Sequence, residues 1–152
     1  MAAGKWKKYA KAALAIANGD VDLNGHSFKV NLYLSTSNCD TLTAHDALAD
    51  LTNQHATANG YTQDTKAITI TTADASGTIT IDETTNPVWT ASGGSITARF
   101  AVIYDDTHAD KIPVCVCLLD TTPADVTATD GNTFTITMNA SGVLTFSGAD
   151  TN

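Results

Sequence analysis

Apolar side chains recur at every second position through most of this chain, and glycine-containing turns cut the alternation into short runs. Phe28, Val30, Leu32 and Leu34 alternate with Lys29, Asn31 and Tyr33. Ile68 and Ile70, then Ile79 and Ile81, alternate with threonines. In the longest run, residues 96–104, Ile96, Ala98, Phe100, Val102 and Tyr104 fall on one side and Thr97, Arg99, Ala101 and Ile103 on the other. A period of two marks a strand with one buried face, because successive Cβ atoms point to opposite sides of a sheet. Turn signals such as Asn59-Gly60, Gly93-Gly94 and Asp130-Gly131 punctuate the runs. About eight strands separated by such turns predict a mainly β fold, an antiparallel β-sandwich.

Composition supports that reading. Charged residues make up 16% of the chain, against about 25% in typical domains, and 26 threonines fill much of the difference. Threonine is β-branched and suits a pleated surface, while its hydroxyl keeps the exposed face wet. The alternation predicts a core of Phe28, Leu32, Ile70, Ile81, Trp89, Phe100, Val102, Val116 and Phe134. Hairpins are expected over residues 67–82, turning at Ser76-Gly77, and over residues 133–147, turning at Ser141-Gly142. Residues 88–90 read as a short strand. Residues 113–119 are almost wholly apolar, so they read as a central strand covered on both faces. Residues 43–51 read as a short helix with Thr43 as cap and Leu48 and Leu51 inward.

The period differs only at the start. Over residues 4–17, Trp6, Tyr9, Ala10, Ala13, Ile16 and Ala17 fall on one helical stripe, opposite Lys5, Lys7, Lys8 and Lys11. Asn18-Gly19 stops the helix. The expected organisation is an amphipathic helix over residues 1–18 and one β-sandwich domain over residues 19–152. The stripe packs on the protein's own core, docks on a partner subunit, or lies on a membrane surface, for which its alanines offer only a shallow apolar face. The docking reading makes Lys5, Trp6, Lys8, Tyr9 and Ile16 the interface, and it predicts a domain that stays folded without residues 1–18.

Charge and residue chemistry exclude several functions. The formal net charge is −8, yet half of the 8 basic residues lie in the first eleven positions. The acidic remainder should repel nucleic acid, which needs clustered Lys and Arg. No stretch is apolar enough to span a bilayer. The basic start lacks the apolar segment and cleavage site of a secretory signal, so folding in the cytoplasm is expected. Cys39, Cys115 and Cys117 are an odd count, and two of them share a strand face, so reduced thiols are expected. His26, His45, His55 and His108 include no metal-binding pair at helical spacing, and neither a nucleophile elbow nor a phosphate loop is present. His45 is expected to face solvent. Asp105, Asp106, His108 and Asp110 read either as a solvated turn or as a calcium loop without the EF-hand spacing. Arg99, the only arginine, is expected to pair with a carboxylate inside the protein, the alternative being one across an interface. No catalytic residue and no cofactor are expected.

Several segments in order carry a family resemblance. The N-terminal helix is followed by G-D-V-D-L (19–23), F-K-V-N-L-Y (28–33), N-G-Y-T (59–62), P-V-W-T (87–90) and A-R-F-A-V-I-Y-D-D (98–106). Together they resemble small β-rich structural proteins of tailed bacteriophage virions, of the capsid decoration or cement type. The resemblance covers roughly residues 5–110. It implies a virion protein without enzymatic activity, oligomeric in the assembled particle, whose partner is the major capsid protein or another virion subunit. A tail, connector or fibre component is the alternative. A carbohydrate-binding adhesive sandwich, using Trp89 or Tyr61 as an exposed platform, is the second alternative.

Overall fold

A computed structural model describes residues 4–75, 78–138 and 142–147. The protein is mainly β and roughly a β-sandwich, with several antiparallel sheets and one helix near the N-terminus. Its strands are β1 (Lys7–Lys8), β2 (Phe28–Tyr33), β3 (Ala67–Ile68), β4 (Ile70–Ala75), β5 (Thr78–Glu83) and β6 (Val88–Thr90). They continue with β7 (Ile96–Ala98), β8 (Phe100–Asp105), β9 (Pro113–Leu118), β10 (Val126–Ala128), β11 (Thr133–Thr135) and β12 (Leu144–Ser147). The central sheet has the order β1-β9-β8-β2-β3, and a second sheet has the order β12-β5-β4. Two strand pairs, β10 with β7 and β11 with β6, complete the set among the described residues.

The predicted core forms. Phe28, Leu32, Ile81, Trp89, Phe100, Val102, Val116 and Phe134 are buried, and Ile70 packs half-buried against them. Strand β9 is buried at nearly every position, as its apolar run predicts, and so is β8. The hairpin of β4 and β5 pairs Ile70 with Glu83 through Ala75 with Thr78; its predicted turn at Ser76-Gly77 lies outside the described residues. At Asn59-Gly60 both residues have positive φ, 55° and 87°, the geometry of a tight primed turn. The carbonyl of Thr90 lies where a side chain on Gly60 would begin, so glycine is required twice over.

Four elements differ from the sequence expectation. The helix, α1, spans only Ala10–Asn18. Residues before it run as a strand along β9, with Lys7 opposite Val116 and Lys8 opposite Cys115. The amide of Gly4 donates to the carbonyl of Leu118 and that of Tyr9 to the carbonyl of Val114. Extending α1 backwards would stack Lys7 on Lys11, and Lys8 on both Lys5 and Lys11, at spacings where like charges repel. A strand instead satisfies the edge of β9 and buries Trp6 and Tyr9. The buried face of α1 is therefore Ala12, Ala15 and part of Ile16, while Leu14 is 57% exposed. Gly19 ends α1 in the left-handed conformation, as expected.

Second, β11 and β12 do not pair with each other, and Ser141 of the expected turn lies outside the described residues. Strand β11 pairs with β6, Phe134 facing Trp89, and β12 pairs with β5, Leu144 facing Ile81. Each strand takes the partner that lets its apolar face join existing core. Third, residues 43–51 supply only a single 3-10 turn, Leu48–Asp50. The Asp50 carboxylate accepts the amides of Asp46 and Ala47, and Thr43 caps nothing. Those two bonds hold the Asp50 carboxyl below the usual carboxylate value.

The run 96–104 is also divided. Strand β7 pairs with β10, whereas β8 lies between β2 and β9. Arg99 sits at the change of partner, its amide donating to Tyr33 and its carbonyl accepting from Leu119.

Candidate docking surface

The five residues expected to form an interface do not lie together on one exposed stripe. Trp6 and Tyr9 belong to the protein's own core. The Tyr9 hydroxyl donates to the carbonyl of Cys39, and the edge of its ring meets His45, centroids 6.1 Å apart. Burial pushes the Tyr9 hydroxyl well above the ordinary tyrosine range. Ile16 is half-buried against the core. Lys5 stays exposed and Lys8 half-exposed. The core reading of the aromatic stripe is thus the one realised: Trp6 and Tyr9 fall on opposite sides of the segment along β9, and each is buried. Trp6, Tyr9, Ala12 and Ala15 belong to one core cluster with residues of the sheets.

What remains at the surface is the charge. Strand β1 is an edge strand, and neighbouring residues on a strand point to opposite faces. Lys7 therefore lines one cleft, of about 370 Å³, with Arg99, Asp40, Leu42 and Leu118. Lys8 lines another, of about 440 Å³, against Gly142, Val143 and Leu144, together with Lys5, which precedes β1. The Lys8 ammonium lies 4.2 Å from the centre of the Phe146 ring. Lys11 borders a third hollow with Asp20, Asp46, His108 and Asp110.

The Asp105–Asp110 segment is a structural turn whose carboxylates point to different partners. Asp105 is fully buried; it meets Nδ1 of His26 at 2.5 Å and accepts the amides of Thr107 at 2.8 Å and His108 at 3.3 Å. Asp106 pairs with Lys29 at 2.6 Å and Lys111 at 3.5 Å. The oxygens therefore do not converge, and among the described residues no group of three or more His, Cys, Asp or Glu is placed to hold a metal ion. The His26–Asp105 pair spans 79 positions, and no sequence pattern could have found it. Arg99 does pair inside the protein, with Asp125 at 2.8 Å.

The remaining candidates are internal. His45 is buried rather than solvated, its Nε2 3.0 Å from the carbonyl of Asn38. His55 is buried too. Trp89, 5% exposed, packs between Tyr61 and Phe134. Tyr61 is buried and accepts the amide of Leu32. Neither ring offers a platform to a sugar.

All three cysteines are buried free thiols. Burial pushes Cys39 and Cys117 up to about 12 and Cys115 well above the ordinary thiol value. The thiolate is the reactive form, so the native protein should resist alkylation at neutral pH and take three labels once denatured; fast native labelling would contradict this burial. The folded-state values lie above the unfolded value of 9.0, so these thiols favour the fold fully below pH 9.0. That contribution is lost as pH rises toward about 12. Melting temperature should accordingly fall across that alkaline window.

Fold and surface together define a mainly β domain of antiparallel sheets whose N-terminal lysines open onto three separate clefts. Among the described residues no helix is long and apolar enough to cross a membrane. No family model matches the chain, and neither a curated protein nor a solved structure matches it.

Proposed function

We propose that this protein is a non-enzymatic structural component of a bacteriophage virion, a decoration or cement protein that packs on the major capsid protein. The observation that carries this reading is the segregation of charge. Lys5, Lys7, Lys8 and Lys11 follow one another through β1 and the first turn of α1, opening onto three clefts, while residues 12–152 hold 4 basic and 16 acidic side chains. A cationic segment on an acidic domain orients it against an acidic neighbour and speeds encounter. The order of segments that resembles phage decoration proteins supports the same reading. A tail, connector or fibre component is the second reading, since threonine-rich, charge-poor strands suit tubes and fibres as well. Burial of Trp89 and Tyr61 removes the support for a carbohydrate-binding role.

The test is mass spectrometry of purified particles, followed by rebinding of the protein to particles stripped of it. The chain should be a stoichiometric particle component. Its affinity should fall with added salt, and the triple variant Lys5→Glu, Lys7→Glu, Lys11→Glu should bind about tenfold more weakly, each exposed pair contributing up to about 1 kcal/mol. Absence from particles, or salt-independent binding untouched by the triple variant, overturns the reading.

A further inference from the structure

The four cations beyond residue 11 all have partners inside the protein. Lys29 and Lys111 meet Asp106, Arg99 meets Asp125, and the Lys66 ammonium donates to the carbonyl of Val88. By contrast, Lys5, Lys7, Lys8 and Lys11 form no ion pair among the described residues. Supply is not the reason, since the chain has 16 acidic side chains against 8 basic ones. Carboxylates do reach two of the three clefts. Lys7 shares its cleft with Asp40, and Lys11 shares its hollow with Asp20, Asp46 and Asp110. Among the described residues, the cleft of Lys5 and Lys8 has no carboxylate in its lining; its walls are Trp6 and residues 142–145. The Lys8 ammonium rests on the Phe146 ring, a contact that neutralises no charge.

We propose that this cleft receives an acidic segment of the partner protein, its carboxylates on Lys5 and Lys8 and an apolar side chain against Trp6. The inference deepens, and rests on, the reading that the chain packs on an acidic neighbour. Charge complementarity selects the occupant. Two ammonium groups without counter-charges stabilise carboxylates placed beside them. The cleft, of about 440 Å³, accepts a few side chains rather than a folded surface. A nucleic acid fits less well. Two lysines neutralise few phosphates, and the remainder of a chain of net charge −8 repels a long polyanion. Trp6 is 9% exposed, so its contact with the segment is small and the lysines carry most of the binding. Exposed ion pairs are individually weak, so a free peptide binds with a Kd on the order of 1 mM.

The experiment uses the isolated full chain and the blocked peptide Asp-Glu-Phe-Glu-Asp, so its failure leaves the particle-binding reading, which is tested on particles, standing. In a heteronuclear NMR titration, saturable shifts should be confined to Lys5, the Trp6 indole, Lys8 and residues 142–146, and binding should weaken with added salt. The uncharged peptide Asn-Gln-Phe-Gln-Asn should bind about tenfold more weakly. Lys5→Glu with Lys8→Glu should weaken binding of the acidic peptide by about tenfold or more. Lys7→Glu with Lys11→Glu makes an equal change in net charge at the other two clefts and should alter binding by about twofold or less. Thr145→Glu keeps both lysines and the Phe146 contact while adding a carboxylate to the cleft's own wall; it should weaken binding in a chain that still melts cooperatively. Equal losses from the two lysine pairs overturn the proposal, because net charge rather than this cleft then governs binding. So do a titration without saturable shifts and a DNA duplex that moves the same signals at lower concentration than the peptide.

Discussion

Deleting residues 1–18 is expected to unfold this protein. The segment supplies Trp6, Tyr9, Ala12 and Ala15 to the core, and its strand covers the outer edge of β9 from Leu118 to Val114. Losing one buried aromatic costs about 3–5 kcal/mol, and total stability for such a domain is about 5–15 kcal/mol. Removing two aromatics, a strand pair and a helix therefore takes the whole margin. Far-UV circular dichroism and denaturant titration of the truncated chain should show no cooperative transition. The point variant Tyr9→Ala should cost about 3–4 kcal/mol. Tyr9→Phe should cost about 1 kcal/mol, the hydroxyl bond to Cys39 alone. A truncated chain with an unchanged midpoint would mean that the sheets close without the segment, the arrangement expected when residues 4–17 read as one docking helix.

Asp105→Ala is the second large effect, a loss of about 3 kcal/mol. The carboxylate is fully buried and joins three groups: His26 and the amides of Thr107 and His108. Its removal orphans those amides and strips a partner from a part-buried histidine, and orphaned buried groups cost about 1–3 kcal/mol each. Asp105→Asn keeps an acceptor for the amides and should cost roughly half as much. A double-mutant cycle with His26→Ala isolates the pair and should give a coupling of about 1–2 kcal/mol. Guanidinium midpoints measure all four states. A loss under about 1 kcal/mol for Asp105→Ala would show that water replaces the carboxylate. By contrast, the neighbouring Lys29–Asp106 pair lies nearer solvent, where such pairs contribute about 0–1 kcal/mol.

The alternation of apolar residues determined by itself that this chain forms strands, and it named the core from Phe28 to Phe134. That information is local, because a period of two assigns a buried face wherever the strand goes. The glycine at position 19 and the Asn59-Gly60 pair were equally legible, since each answers a requirement of its own backbone. Partner choice was not. Phe134 could have faced the 144–147 strand or Trp89, and only the completed core decided for Trp89. The same holds at the N-terminus, where a helical stripe and a strand beside β9 bury the same Trp6 and Tyr9. Helix spacing weighed only neighbours in sequence, whereas the bare edge of β9, about 110 residues on, offered the hydrogen bonds that won. Long-range pairs such as His26 with Asp105 leave no periodic trace, because tertiary packing alone brings their residues together. The site follows the same division: the sequence located the lysines, and the edge position of β1 decided that they, rather than the aromatics, face outward.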